Sequence, residues 1–187
     1  MARKTLLIAV LHRGPQGRAS PLAFAARDGA AEAGVRSVLV GAEGLGEAQW
    51  ALLEAAGGYV FGAPLPAEAA DRRSSWAGRP AGGFTEDVPG ADPYERQRRM
   101  AASAARLGLR WIVPEVLPSW YSACDNESAL DAVRQVGGLV AHTLRAGLAA
   151  SDGHEGRERH DDRSSHDSRA DLLGLTRLTG PVDLAGR

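Results

Sequence analysis

The chain of 187 residues has one cysteine, Cys124, and one lysine, Lys4. A single thiol excludes an internal disulfide and fits a reducing compartment, so a cytoplasmic location is expected. The near absence of lysine reads as genome composition, with arginine carrying almost all the positive charge. Neither sign of charge is in excess: 22 basic and 23 acidic residues leave a net charge of −1. That balance excludes a general binder of nucleic acid or of membrane surfaces. Apolar runs are all far shorter than a membrane span, and the first of them reads as a polar-flanked strand rather than a signal peptide. What remains is ordinary for a globular protein, with 44% hydrophobic and 24% charged residues and length enough for one core plus a tail.

The stretch Lys4 to Pro21, KTLLIAVLHRGPQGRASP, organises the rest. Thr5 to Leu11 is a short apolar strand, His12 to Ala19 a polar loop with two glycines, and Ser20-Pro21 a cap residue followed by the proline favoured in the first helical turn. This strand, loop and helix start would aim backbone N–H groups at the carboxyl end of the strand, where α/β proteins commonly hold a phosphate. Arg13 and Arg18 would add full charge. The loop matches neither Gly-x-Gly-x-x-Gly nor the P-loop pattern, so an ordinary βα turn with solvated arginines stands beside the phosphate reading.

Helix and strand patterns then alternate. Pro21 to Ala33 reads as a helix in which Leu22, Phe24, Ala25 and Ala26 alternate with Arg27, Asp28 and Glu32, stopped by Gly34. Val35 to Val40 is a second strand, which closes a right-handed βαβ unit. A helix over Glu47 to Ala56 around Trp50, Leu52 and Leu53 leads to a third strand, Gly58 to Phe61. Ala67 to Ser75 has room for two helical turns at most, and Ala81 to Thr85 is a weak fourth strand. Asp92-Pro93 with Glu95 predicts a capping box and a helix to about Leu107, with Met100, Ala104 and Leu107 on its inner face. Leu109 to Val113 is the fifth strand. A second capping box, Ser128-x-x-Asp131, opens a last helix with Leu130, Val133, Val140 and Leu144 inward.

From Ala150 the composition turns polar, and SDGHEGRERHDDRSSHDSRAD reads as disordered. His154, His160 and His166 recur every six residues, a spacing that does not gather them on one helix face, so a solvated tail is preferred to a metal site and no metal is expected. Leu172, Leu173, Leu175 and Leu178 leave room for a short docking helix in 171–187. The domains are therefore read as 1–148, folded, and 149–187, a polar tail.

Three pieces, in this order, carry a family likeness: VFGAPLP (Val60 to Pro66), RPAGGFTED (Arg79 to Asp87) and LRWIVPEVLPSWYS (Leu109 to Ser122). Over roughly residues 4 to 147 the chain resembles the flavodoxin-like family, especially its quinone-reductase branch of tryptophan-repressor-binding-protein type and the NADPH-dependent FMN reductases. The resemblance implies an α/β three-layer sandwich with a parallel sheet in order 2-1-3-4-5 and FMN at the carboxyl ends of the strands. It also implies that Arg13, Gly14, Gln16, Gly17, Arg18 and Ser20 form the phosphate loop. Pro64, Leu65 and Pro66 would flank the flavin ring on one side, and Thr85, Glu86 and Asp87 on the other, with Trp120 and Tyr121 at the same edge. Hydride chemistry would belong to the flavin, with NAD(P)H as donor, a quinone or similar small molecule as acceptor, and a homo-oligomer among the assemblies that relatives adopt.

The sequence departs from the family pattern in ways that bear on function. Ser20 is the only hydroxyl of the first loop, Pro15 removes a backbone donor, and Glu86 and Asp87 bring negative charge to the fourth loop. A second reading is therefore a flavodoxin-like protein that has lost FMN and serves as a binding partner, or uses the cleft for another small molecule. Cofactor-free catalysis would draw on His12, Tyr121, Glu86 and Asp125, but no spacing singles out a base. Cys124 has no nucleophile motif around it and reads as a half-buried thiol.

Overall fold

The computed structural model describes residues 6–14, 17, 19–64, 67–85, 92–112 and 126–172. Five strands, β1 (Leu7–His12), β2 (Arg36–Gly41), β3 (Gly58–Phe61), β4 (Pro80–Gly83) and β5 (Arg110–Trp111), form one sheet in the order β2-β1-β3-β4-β5. Every pairing is parallel, with Leu11 opposite Val40 on one side and Phe61 on the other. The helices are α1 (Pro21–Glu32), α2 (Glu47–Ala55), α3 (Arg73–Trp76), α4 (Pro93–Arg106) and α5 (Asn126–Leu172), with a 3₁₀ helix over Ala67–Arg72. The sheet order agrees with the expectation drawn from the family likeness.

Alternation along the strands divides the core in two. Ala9 and Leu11 of β1, Tyr59 and Phe61 of β3 and Ala81 of β4 share one cluster with Trp50 and Leu53 of α2, Trp76, and Met100 and Ala104 of α4. Aromatic rings fill it: Trp76 stacks on Tyr59 with centroids 4.8 Å apart, Tyr59 on Phe61 at 5.7 Å, and Trp50 lies 6.4 Å from Trp76. The opposite face belongs to α1 and α5. A Cβ at Gly58 would lie 3.2 Å from Val140 of α5, and one at Gly82 would lie 2.9 Å from Val136. Glycine in β3 and β4 thus lets α5 lie low on the sheet.

The helix α1 buries its small residues, Ala23, Ala25, Ala26, Gly29 and Ala30. Phe24 is 40% exposed and lies beneath the Arg27 guanidinium, 4.9 Å from the ring centroid. The reason is the crossing with α5, where backbone meets backbone. A Cβ on Gly29 would sit 1.8 Å from the Arg134 carbonyl oxygen, so no side chain fits there. Leu52 of α2 is likewise exposed while its neighbour Leu53 is fully buried.

Helix ends follow local chemistry. Both α1 and α4 close on a left-handed glycine, Gly34 and Gly108. In each, the next residue's N–H reaches back to the helix: Val35 donates to the Ala30 carbonyl at 3.0 Å, and Leu109 to that of Ala104 at 3.0 Å. Asp92 caps α4 by accepting from the Tyr94 N–H at 2.9 Å. Glu95 does not complete a box, because its carboxylate pairs with Arg99 one turn on. The second expected box is displaced as well: α5 starts at Asn126, so Ser128 lies inside its first turn and Asp131 pairs with Arg134. Val133, Val140 and Leu144 are buried as expected, and Leu130 is half-buried.

The chain divides into Met1–Gly147 and Leu148–Arg187. In the second unit the backbone is helical through Leu172, where composition suggested disorder; its alanines, glutamates and arginines are good helix formers. Residues 173–187, with most of the proposed docking leucines, lie outside the described residues.

Candidate functional site

Strand order reverses at β1: β2 lies to one side and β3, β4 and β5 to the other. In a parallel sheet the loops leaving adjacent strands at such a point diverge, which opens a crevice at the carboxyl edge. The expected phosphate loop leaves β1 there. Arg13 is exposed, and Gly14 and Gly17 have φ of +97° and +85°. A Cβ at Gly17 would meet no atom within 4 Å, so it is the left-handed backbone and not crowding that calls for glycine. The Gly14 carbonyl accepts from the Glu43 N–H at 3.4 Å and that of His12 from Ala42 at 2.9 Å, so the loop after β2 holds the loop after β1.

Ser20 is the N-cap of α1, and its Oγ accepts from the Ala23 N–H at 3.3 Å. The oxygen being engaged, the hydroxyl proton is left to donate outward. Pro21 has no N–H, and that of Ala23 is taken. Of the first three residues of α1, Leu22 alone has an N–H with no partner among the described residues.

The loops after β3 and β4 meet edge to edge. The Phe84 N–H donates to the Phe61 carbonyl at 2.9 Å, and the Phe84 ring lies over Gly62, where a Cβ would come within 2.2 Å of it. Phe84 is fully buried and Thr85 nearly so, while Pro64 is exposed. The strand β4 ends at Gly83 rather than Thr85, which puts Phe84 and Thr85 into the loop. Nothing in the sequence pattern singled out Phe84. The signal was its register beside Gly62, one step beyond the Phe61–Gly83 pair.

His12 is not a loop residue as expected but the last residue of β1, and it is fully buried. Its Nδ1 lies 3.0 Å from the Arg13 carbonyl oxygen. A carbonyl can only accept, so Nδ1 carries the proton. In the neutral ring Nε2 is then a lone pair, and it is buried without a hydrogen-bond partner among the described residues.

Among the described residues one ionisation is displaced, and it lies in the core. Burial pushes the Tyr59 phenol up to about 12, against a smaller opposing effect of the Arg79 guanidinium. Tyr59 Oη donates to the Leu53 carbonyl at 2.8 Å and accepts from Arg79 Nη1 at 2.9 Å. Arg79 also donates to the Glu54 and Ala56 carbonyls, so the pair closes the carboxyl end of α2 and is structural.

Arg13, Gly14, Gly17 and Ser20 are thus brought together on one loop and helix start, with Pro64 and Thr85 following β3 and β4. Gln16, Arg18, Leu65, Pro66, Glu86, Asp87 and Tyr121 lie outside the described residues, as do Trp120, Cys124 and Asp125. Among the described residues no group of three or more His, Cys, Asp or Glu is placed to hold a metal ion, and no helix is long and apolar enough to cross a membrane.

No protein-family profile matches the chain, and no curated protein matches it in sequence. Solved structures do match. A flavodoxin, WrbA-like protein from Agrobacterium tumefaciens superposes with a TM-score of 0.57 at 24% identity, over 75% of this chain and 98% of that one. A diflavin flavoprotein A3 from Nostoc sp. gives 0.55 at 19% identity, over 77% and 96%. A flavone reductase gives 0.54 at 17% identity, over 74% and 63%. Together with the parallel order β2-β1-β3-β4-β5 and the helices on both faces, these superpositions establish that the chain has the flavodoxin-like fold.

Proposed function

We propose that the chain binds FMN at the carboxyl edge of β1, β3 and β4 and acts as a flavin-dependent oxidoreductase, taking electrons from NAD(P)H and delivering them to a quinone or similar acceptor. The observation that carries this reading is the loop after β1. It leaves the sheet where strand order reverses, turns on two left-handed glycines and ends in a capped helix start.

The donor set fits a phosphate in kind. The Ser20 hydroxyl, the Leu22 N–H and the loop amides would hold it, with Arg13 and Arg18 supplying positive charge. Pro64, Leu65 and Pro66 on one side and Thr85, Glu86, Asp87 and Tyr121 on the other would flank the ring and exclude water. The flavin, when bound, supplies the hydride and electron transfer. The structural neighbours, among them a flavodoxin, a diflavin flavoprotein and a flavone reductase, support the same assignment. In this reading residues 1–148 are the catalytic domain, 149–187 a tail, and the protein works in the cytoplasm.

A second reading has its own observation. Pro21 and the Ser20–Ala23 bond leave one of the first three helix amides free, and Ser20 is the only hydroxyl of the loop. Each charge-assisted bond contributes about 1.5–3 kcal/mol, so a loop short of two would bind at least about a hundredfold more weakly. A relative that has given up FMN for another partner in the cleft would show this loop.

Titration of FMN and riboflavin by flavin fluorescence separates the two. Saturable micromolar FMN binding, with riboflavin clearly weaker, is expected. Arg18→Ala and Ser20→Asp should both weaken it, since aspartate keeps the helix cap but opposes a phosphate. Absence of saturation at high micromolar FMN would sink the oxidoreductase reading in favour of the second.

A further inference from the structure

The buried imidazole of His12 has a hydrogen-bonding capacity that the described residues leave unused. The Arg13 carbonyl oxygen, 3.0 Å from Nδ1, requires a proton on that nitrogen. In the neutral ring Nε2 is then an acceptor, and it has no partner among the described residues although the side chain is wholly buried. Buried polar atoms without partners are rare in folded proteins because desolvation is not repaid, and they recur where a ligand supplies the missing bond. His12 stands where one would arrive: it ends β1, its own carbonyl is held by Ala42, and Arg13 and Gly14 of the candidate loop follow directly.

We propose that His12 is a specificity-determining residue whose Nε2 accepts a hydrogen bond from a ligand hydroxyl at the carboxyl end of β1. The chemistry sets the ligand class. A phosphate dianion has no proton to give to such a lone pair. A polyol chain does, and in FMN such a chain joins the phosphate to the ring. His12 accordingly selects for the hydroxylated linker, while the loop and the helix start select for the anion. This rests on the flavin reading above and adds to it a residue that distinguishes flavins by their side chain.

The test compares FMN, riboflavin and lumiflavin, which has neither polyol nor phosphate, on the full chain and on His12→Phe and His12→Gln, with thermal melts to establish that both variants fold. One neutral hydrogen bond corresponds to roughly tenfold in affinity. His12→Phe should weaken FMN and riboflavin by about that factor and leave lumiflavin unchanged, and His12→Gln, which keeps an acceptor near the Nε2 position, should recover most of it. Nitrogen NMR of the imidazole should show Nε2 moving on addition of riboflavin with Nδ1 still protonated. Equal weakening of all three flavins, or an Nε2 signal that riboflavin leaves in place, would overturn the proposal and assign the second hydrogen bond of the ring to a buried water. Should the wild-type chain bind no flavin of any kind, the oxidoreductase reading and the role of His12 fall together; flavin binding that is indifferent to His12→Phe removes the role of His12 alone.

Discussion

A Cβ placed on Gly137 would lie 2.0 Å from the carbonyl oxygen of Ala26. The converse contact, Gly29 against the Arg134 carbonyl, lies one turn along the same crossing, so α1 and α5 meet through paired backbone surfaces. Arg145 adds a bond between the same helices, donating from Nη1 to the Ala33 carbonyl at 2.8 Å. The α1 side of the core depends on this closeness, since its other buried residues are alanines with little reach.

The first prediction compares two glycines of α5. Gly137→Ala must push the helices apart and is expected to cost about 1–3 kcal/mol, the range of an overpacked core, despite the better helix propensity of alanine. Gly147, where a Cβ would meet nothing within 4 Å, has only propensity to gain. Gly147→Ala should therefore stabilise by up to about 1 kcal/mol. Urea melts of both variants decide it, and equal effects would mean that the crossing is looser than described.

Tyr59 yields a prediction in pH. Its phenol is pushed up to about 12 by burial, against an ordinary value near 10 in the unfolded chain. The folded state then holds the proton where the unfolded state has lost it, so the contribution is fully present below pH ~10 and is lost as pH rises towards ~12. The loss is on the order of 2–3 kcal/mol at most. Tyr59→Phe should be less stable at neutral pH by about 1 kcal/mol, for the lost bond to the Leu53 carbonyl, and should show a shallower alkaline decline than wild type. Parallel declines in stability between pH 9 and 12 would contradict the assignment.

Asp92 and Glu95 separate a cap from a surface pair. Asp92→Ala removes the acceptor for the Tyr94 N–H and should cost about 0.5–2 kcal/mol. Glu95→Ala removes an exposed ion pair with Arg99 and should cost no more than about 0.5 kcal/mol. A cost for Glu95→Ala that matched Asp92→Ala would restore the capping box that the sequence suggested.

What could be read beforehand divides by the range of the forces involved. The start of α4 was legible at Asp92-Pro93 because capping is settled within four residues, and the ends of α1 and α4 at Gly34 and Gly108 for the same reason. Which residues of α1 are buried was not legible, because the α1–α5 crossing that buries Gly29 is decided by a helix more than a hundred positions later in the chain. His12 was placed in the loop because a polar residue at the end of an apolar run looks like its boundary; pairing with Gly41 carries β1 one residue further. The sheet order came from a family likeness and not from periodicity, which gives elements but not neighbours. Of the candidate site, the glycines and the cap of the first loop were visible because turns and helix starts have local requirements. Phe84 over Gly62 was not, since that contact exists only once β3 and β4 are in register.

The central position of β1 has a consequence for how the chain is made. A ribosome delivers this strand first, yet it lies between two strands that emerge later, and its partners are complete only when Phe61 has followed. The part of that face over β3 and β4 that receives α5 then stays uncovered until the chain has been extended past Val140. Throughout that interval the nascent protein presents an open, parallel, apolar sheet, the kind of surface that aggregates or engages a chaperone. Stalled chains ending before Asn126 are expected to be digested rapidly by a protease that spares chains extended to Gly147, so the timing of translation becomes part of this protein's folding.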